Sequence, residues 1–291
     1  MTEADTRRDD RWLGEDLDLD AYLARIGYDG PRTASVDTLR ALVRGHTTTI
    51  PFENLEIILG RGIPLELDAL QDKLIRRRRG GYCFENVGVF AAVLERFGFG
   101  VSGLSGRVTY GALATGAIRP ATHALLRVTT PDDDRVWICD VGFGFGPLEP
   151  FELVDGRGEF TLGDWRYRLE RRADDTDGAL WVLFQFGRDG WIDRYTFTEN
   201  PQYRIDYAVG NHFVSTSPRS PFTTRPFLQR FLPEVHHVLD DVTLTAEYPD
   251  GTAHSRELEP GELPKVLTEV FDIDLDESDA AILVTMPWRA D

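Results

Sequence analysis

Apolar residues recur at helical spacing in the first third of the chain, at Leu39, Leu42 and Val43 and again at Leu67, Leu70, Leu74 and Ile75. This predicts a helical bundle from about residue 20 to residue 98. A helix from Leu67 to Arg79 should be stopped by Gly80 and Gly81. The next stripe, Val87, Phe90, Ala91, Leu94 and Phe97, predicts another helix and puts Cys83 at its start. Between about Val101 and Tyr207 the period changes. Short apolar runs at Ala124 to Thr130, Val136 to Val141 and Leu180 to Phe186, broken by Gly, Pro and Asp, predict an antiparallel sheet or barrel. The remainder opens on a polar, Pro-rich stretch from Asn211 to Pro226. A strand-like run at Val242 to Tyr248 and a short helix at Leu263 to Phe271 follow. The resulting fold class is α+β in three units: 1–100 helical, 101–207 β, and 208–291 mixed.

Composition narrows the function classes. At 291 residues the chain exceeds what one core supports, since single cores stop growing near ~250 residues. No apolar run approaches the ~20 residues that cross a bilayer, so a membrane-spanning protein is not expected. Residues Met1 to Asp20 are dense in Asp, Glu and Arg and lack the apolar core of a secretory signal, which predicts cytoplasmic residence. A formal charge of -17 would repel nucleic acid, and an anionic ligand would need a local basic pocket. Arg219, Arg225 and Arg230 are candidates for such a rim, or ordinary solvated residues. Arg76 to Arg79 reads as a helix C-terminus, with Arg79 structural near Cys83. Cys83 and Cys139 are the only cysteines, too few for a disulfide scaffold or a cysteine metal site, and no metal is expected.

A thiol becomes a useful nucleophile when a helix N-terminus and an adjacent imidazole stabilise its thiolate. Arg79-Gly80-Gly81-Tyr82-Cys83-Phe84 supplies the helix start, and the two glycines free backbone amides for the thiol or a developing oxyanion. A buried structural cysteine fits that segment equally well. Of six histidines, five (His46, His212, His236, His237 and His254) fall in segments that read as helix ends, loops or surface turns. His123 opens an apolar strand. Thr130-Pro131-Asp132-Asp133 reads as a turn, so the flanking runs form a hairpin. With paired numbers summing to 263, His123 lies directly opposite Asp140, and Leu125 faces Ile138 on the same side. Ala124 then faces Cys139, and Leu126 faces Trp137, on the other side. An Asp in an apolar strand needs a partner, and His123 is the natural one. The pair could merely satisfy itself; a helix-start cysteine in the same chain favours catalysis. Cys139 alternates to the opposite face and reads as a small buried hydrophobe.

Five segments then become recognisable: Ile50-Pro51-Phe52-Glu53-Asn54-Leu55, Arg78-Arg79-Gly80-Gly81-Tyr82-Cys83-Phe84-Glu85, Thr122-His123, Asp140-Val141-Gly142-Phe143-Gly144, and Ser215-Thr216-Ser217-Pro218-Arg219-Ser220-Pro221-Phe222. Together, and over nearly the whole chain from Asp20, the sequence resembles the arylamine N-acetyltransferase family. The resemblance implies a papain-like architecture: a helical bundle, an antiparallel β-barrel and an α/β lid. It implies a Cys83, His123, Asp140 triad, acetyl-CoA as co-substrate, and arylamine or arylhydrazine acceptors in a ping-pong cycle, with no prosthetic group. Phe143 and Gly144 match family positions lining the cleft, and Thr122 and Phe222 match positions near the cleft or the CoA arm. A monomer or homodimer is expected. One departure stands out: many members carry Glu-x-Asn after the nucleophile, whereas here Glu85 is followed by Asn86 and Val87. Val87 cannot hydrogen-bond and Asn86 should point elsewhere on the helix, so altered support of the first unit is expected. A macrolactam-forming amide synthase, a thioester or amide hydrolase, and an inert binding module are the alternatives.

Overall fold

The computed structural model describes residues 12–173 and 179–286. The acidic opening segment falls mostly on residues 1–11, outside them.

The first third is helical, as its pattern predicts. Helix α1 (Leu19–Ile26) starts where the Asp18 side chain accepts from Ala21 N, and α2 (Val36–Thr49) where Ser35 accepts from Thr38 N. After β1 (Phe52–Glu53) and the single turn α3 (Leu55–Ile58), α4 (Leu67–Gln71) continues as a π-helical turn through Asp72–Arg76. The turns therefore end at Arg76, short of the expected Arg79. Arg78 takes a left-handed φ of 52° and breaks the helix before the glycines are reached. Gly80 instead permits close backbone approach: a Cβ there would sit 2.2 Å from the Pro51 carbonyl oxygen. Helix α5 (Cys83–Phe97) is the central element. From Cys83 to Leu94 every residue but Gly88 is buried, so helices and sheet surround it on nearly every side.

Eight strands build the middle: β2 (Gly100–Val108), β3 (His123–Thr130), β4 (Asp133–Cys139), β5 (Phe151–Glu152), β6 (Gly158–Leu162), β7 (Trp165–Ala173), β8 (Ala179–Gly187) and β9 (Gly190–Phe197). Their spatial order is β5-β4-β3-β2-β9-β8-β7-β6, antiparallel throughout. One apolar cluster draws a residue from each of the eight strands, which requires the sheet to curl around it. The opposite face of β3 and β4, with Ala124, Leu126, Val128, Trp137 and Cys139, packs into the helical core.

The β3–β4 register departs from the expected one. Thr130 pairs with Asp133 across the predicted turn, but an irregularity follows, and Val128 then pairs with Trp137 and Leu126 with Cys139. Those pairs sum to 265, so His123 and Asp140 are offset by two positions instead of directly opposite. A two-residue shift preserves the alternation of faces, which is why both side chains still share one side.

The last third adds α6 (Arg204–Thr216), so the first residues of the expected polar loop are helical. Strands β10 (Phe227–Phe231), β11 (His236–Asp240), β12 (Thr243–Glu247) and β13 (Ala253–Glu257) join β1 in the order β1-β10-β11-β12-β13. Leu228 and Leu239 on one face of this sheet pack with α7 (Leu263–Phe271) and α8 (Glu277–Thr285). The other face looks toward the junction with the large sheet.

Candidate active site

Cys83 is the first residue of α5, held there by a tightly tied loop. Gly81 N donates to Pro51 O (3.1 Å) and Glu53 N to Gly81 O (3.2 Å), stitching the loop to β1. The Glu85 carboxylate reaches back to accept from Tyr82 N at 3.0 Å. Asn86 Nδ2 donates to Gly81 O at 2.6 Å, and its Oδ1 accepts from His46 Nε2 at 3.0 Å. His46 Nδ1 in turn accepts from the Tyr22 hydroxyl at 2.9 Å. Burial lowers the His46 pKa to about 4, consistent with a neutral ring accepting on one nitrogen and donating on the other. Asn86, expected to point elsewhere on the helix and leave the first unit differently supported, itself anchors the loop that carries Cys83. His46 and His236, which read as loop or helix-end residues, are both fully buried.

Beneath this loop lies a buried ion cluster that sequence reasoning missed apart from Arg79. Lys73 Nζ sits 2.7 Å from Glu85 Oε1 and 3.7 Å from Glu53 Oε1. Arg79 donates to Glu53 Oε1 (2.8 Å) and Glu56 Oε1 (3.1 Å). Burial alone would raise the Glu53 pKa, but Lys73 and Arg79 outweigh it and the result is lowered. For Glu85 burial prevails, with the Glu53 charge adding to it, and the result is raised.

His123 Nε2 meets Asp140 Oδ2 at 3.0 Å, with the His123 and Asp140 residues 3% and 1% exposed. Asp140 Oδ1 also accepts from Gly142 N at 3.3 Å, which fixes the carboxylate. Since Nε2 is engaged by Asp140, Nδ1 is the nitrogen left for Cys83. Burial pushes the imidazole pKa down, but the charge and hydrogen bond of Asp140, followed by Cys83, carry it up to about 10. The ring is thus an imidazolium at neutral pH. The Cys83 sulfur lies 3.5 Å from Thr122 O. Gly142 lets the Asp140 loop press onto α5, because a Cβ there would lie 2.7 Å from Cys83 Cα. Tyr195 and Phe143 pack on the His123 ring with centroids 4.9 and 5.1 Å away. Cys139 faces the helical core, and burial raises its pKa far above the usual thiol range, so it stays a hydrophobe.

Cys83 and His123 open into a cleft of about 660 Å³. Thr122, Phe143 and Phe222 line it; Gly144 is not among the lining residues. Gly144 has φ +80°, and a Cβ there would sit 2.5 Å from Gln229 Nε2, so its place is under the cleft wall. Phe52, Val108, Tyr110 and Phe227 add apolar lining and, apart from Phe52 in its recognised motif, were not singled out in the sequence. Of the three candidate rim arginines only Arg225 reaches the cleft, where it is paired with Asp240. Arg230 donates to Val270 O and Arg219 lies over the Phe213 ring.

The arrangement is a cysteine at a helix N-terminus, beside a charged imidazole oriented by a buried carboxylate, at one end of an enclosed apolar cleft. Such a set suits acyl transfer through sulfur. A family model described as N-acetyltransferase matches residues 35–280. The arylamine N-acetyltransferase of Mycolicibacterium smegmatis is 38% identical over 263 residues, covering 90% of this chain and 94% of that protein. The solved arylamine N-acetyltransferase of Nocardia farcinica superimposes with a TM-score of 0.93 at 66% identity, covering 96% of this chain and 98% of that one. The Mycobacterium marinum enzyme in complex with CoA gives a TM-score of 0.83 at 34% identity, over 92% and 98% of the two chains. With 90–96% of its length matched by these relatives and Cys83 set in the cleft, the chain belongs to the arylamine N-acetyltransferase family.

Proposed function

We propose that the enzyme transfers acetyl from acetyl-CoA to the nitrogen of arylamines or arylhydrazines by a ping-pong cycle through a Cys83 thioester. The observation that carries this reading is Cys83 at the first position of a buried helix, in one cleft with the His123–Asp140 pair. An imidazolium and a helix N-terminus are the two neighbours that stabilise a thiolate. The thiolate attacks the acetyl carbonyl, the new C–S bond forms, the bond to CoA sulfur breaks, and the CoA sulfur takes the His123 proton. The acceptor nitrogen then attacks the thioester, the C–N bond forms, and the Cys83–carbonyl bond breaks. The nitrogen's proton passes to His123, restoring the starting pair. Asp140 keeps the ring oriented throughout. Glu85 N and Asn86 N already donate to Tyr82 O, which leaves the N–H groups of Cys83 and Phe84, at the start of the helix, as those suited to hold the oxyanion. Phe143, Phe222 and Thr122 offer the acceptor apolar and edge contacts.

This reading includes the papain-like division into 1–100, 101–207 and 208–291, a helical bundle, a β-barrel and an α/β lid, with α6 crossing the second cut. Monomeric or homodimeric assembly and cytoplasmic residence belong to it as well; no described helix is long and apolar enough to cross a membrane.

The test is intact mass of wild type and Cys83→Ala after incubation with acetyl-CoA and then with an arylhydrazine. One acetyl group on wild type, removed by the hydrazine as amide and absent from Cys83→Ala, is the expected result. A wild type that is never acetylated rules the thioester out.

A further inference from the structure

The cleft is much larger than a single aromatic ring needs and falls within the roughly 300–1,000 Å³ of sites that enclose drug-sized ligands. One wall of it is a built surface, the face of β10–β12 turned away from α7 and α8. Registered neighbours form rows across these strands: Phe227, Asp240 and Thr243, then Gln229, Val238 and Thr245, then His236 beside Glu247. All of them line the cleft. The column on β12 is wholly polar, with two hydroxyls and a carboxylate, each partly exposed; the Thr245 hydroxyl shares a hydrogen bond with Ser255 Oγ at 2.9 Å and keeps a further lone pair.

The hydrogen-bond pattern fixes what this surface offers. Gln229 Nε2 donates to Phe143 O at 3.2 Å, so the amide is oriented with Oε1 toward His236 Nε2, 3.1 Å away. Burial lowers the His236 pKa to about 4, so the ring is neutral and has one proton for two facing acceptors, Gln229 Oε1 and, 3.2 Å from Nδ1, Glu247 Oε2. Glu247 Oε1 takes no hydrogen bond from any described residue, and the Glu247 side chain is 33% exposed at the cleft. Arg225, the cation lining the cleft, is already occupied by Asp240. The buried Arg194 guanidinium acts on the Glu247 charge but does not line the cleft; among the described lining residues the surface has acceptor capacity to spare and no free cation. That is wrong for a phosphate or carboxylate and right for a donor.

We infer that β12, through Glu247, Thr245 and Thr243, forms an acceptor subsite for aromatic amines that carry a hydrogen-bond-donating or cationic group at the end remote from the reacting nitrogen. The inference rests on the acyl-transfer reading above and adds the class of acceptor. The acceptor's ring occupies the apolar half beside Phe143 and Phe222, and its distal donor meets Glu247 Oε1, with a β12 hydroxyl alongside.

The test compares 4-aminobiphenyl with its 4′-aminomethyl and 4′-carboxylate derivatives as acceptors. The aminomethyl compound should exceed the parent at least tenfold in kcat/KM, with the carboxylate slowest. Glu247→Gln and Thr245→Val should each shrink that ratio, Glu247→Gln to within about threefold of unity, a loss of the size expected for a hydrogen bond to a charged group. Equal values for the three compounds, or a preference for the carboxylate, overturns the subsite. A ratio that survives both substitutions overturns its location on β12. Calorimetric binding of the same three compounds to Cys83→Ser should follow the same order without any chemistry. If wild type transfers no acetyl group yet this binding order holds, the catalytic reading fails and the subsite stands. If acetyl transfer proceeds and the order is absent, the reverse is true.

Discussion

At the residue scale the site is governed by the charge state of His123. Asp140, 3.0 Å away and buried, holds the imidazole pKa up to about 10 against the desolvation that would lower it. A raised folded-state pKa means that the protonated ring stabilises the native protein fully below the unfolded value of about 6.5. That contribution is lost as pH rises through about 10. Thermal melting should therefore decline over this alkaline window in wild type more steeply than in His123→Gln, which lacks the titrating group. Asp140→Asn should keep the fold yet cut kcat by about 10³–10⁴, because the amide neither fixes the ring nor stabilises its charge. Single-turnover deacetylation checks that value. Much of this pair was legible in advance: an Asp in an apolar run and a His opening another, with a Pro-Asp turn between them, pointed to each other. The register was not, since the irregularity between Val128 and Thr130 shifts the pairing by two residues without changing the face.

At the element scale, α5 is where local sequence and packing meet. Its first residue is displayed because the loop before it is clamped from below by buried charges, and from the side by Asn86. Lys73→Met would leave Glu85 and Glu53 without their shared cation, and removing one partner of a buried set costs about 3–5 kcal/mol. Urea unfolding should report a loss of that order. Gly80→Ala should be worse tolerated than substitution at a solvent-facing glycine such as Gly62, because only at Gly80 would the new methyl overlap a backbone oxygen. Soluble yield and melting temperature distinguish the two. The helical stripe of α5 was readable from Val87 through Phe97; its support was not. Charged residues such as Lys73 and Glu53 look like solvated positions until the chain brings them together, and nothing in their spacing announces the pairing.

At the scale of the whole molecule, the cleft exists because distant segments are locked edge to edge. Asn54, in the first third, donates to Phe222 O and Arg225 O, each at 2.8 Å, and accepts from Phe227 N at 2.7 Å. One amide thereby sets where Phe222 and the start of β10 stand relative to Cys83. Asn54→Ala should destabilise the protein by about 3 kcal/mol through the partners left unmet. It should also raise KM for the acceptor more than it lowers kcat, since Phe222 is displaced while Cys83, His123 and Asp140, on other elements, are not. Steady-state kinetics separates the two parameters. The pairing of β1 with β10 makes the same connection through backbone, and the apolar wall of Phe52, Phe222 and Phe227 follows from it.

The sequence by itself determined the helical first third, the β-rich middle, the helix-start cysteine and the His–Asp partnership. Each of these rests on short-range periodicity or on the cost of burying an unpaired carboxylate. Tertiary structure alone decided the depth of the cleft and the polar face of β10–β12. It also decided the burial of His46 and His236 and the ion cluster under Cys83. Those features join residues on different elements, some close in sequence and others as far apart as His46 and Asn86, 40 positions on, and their energies depend on which other groups exclude water around them. A single chain's local pattern carries no trace of that.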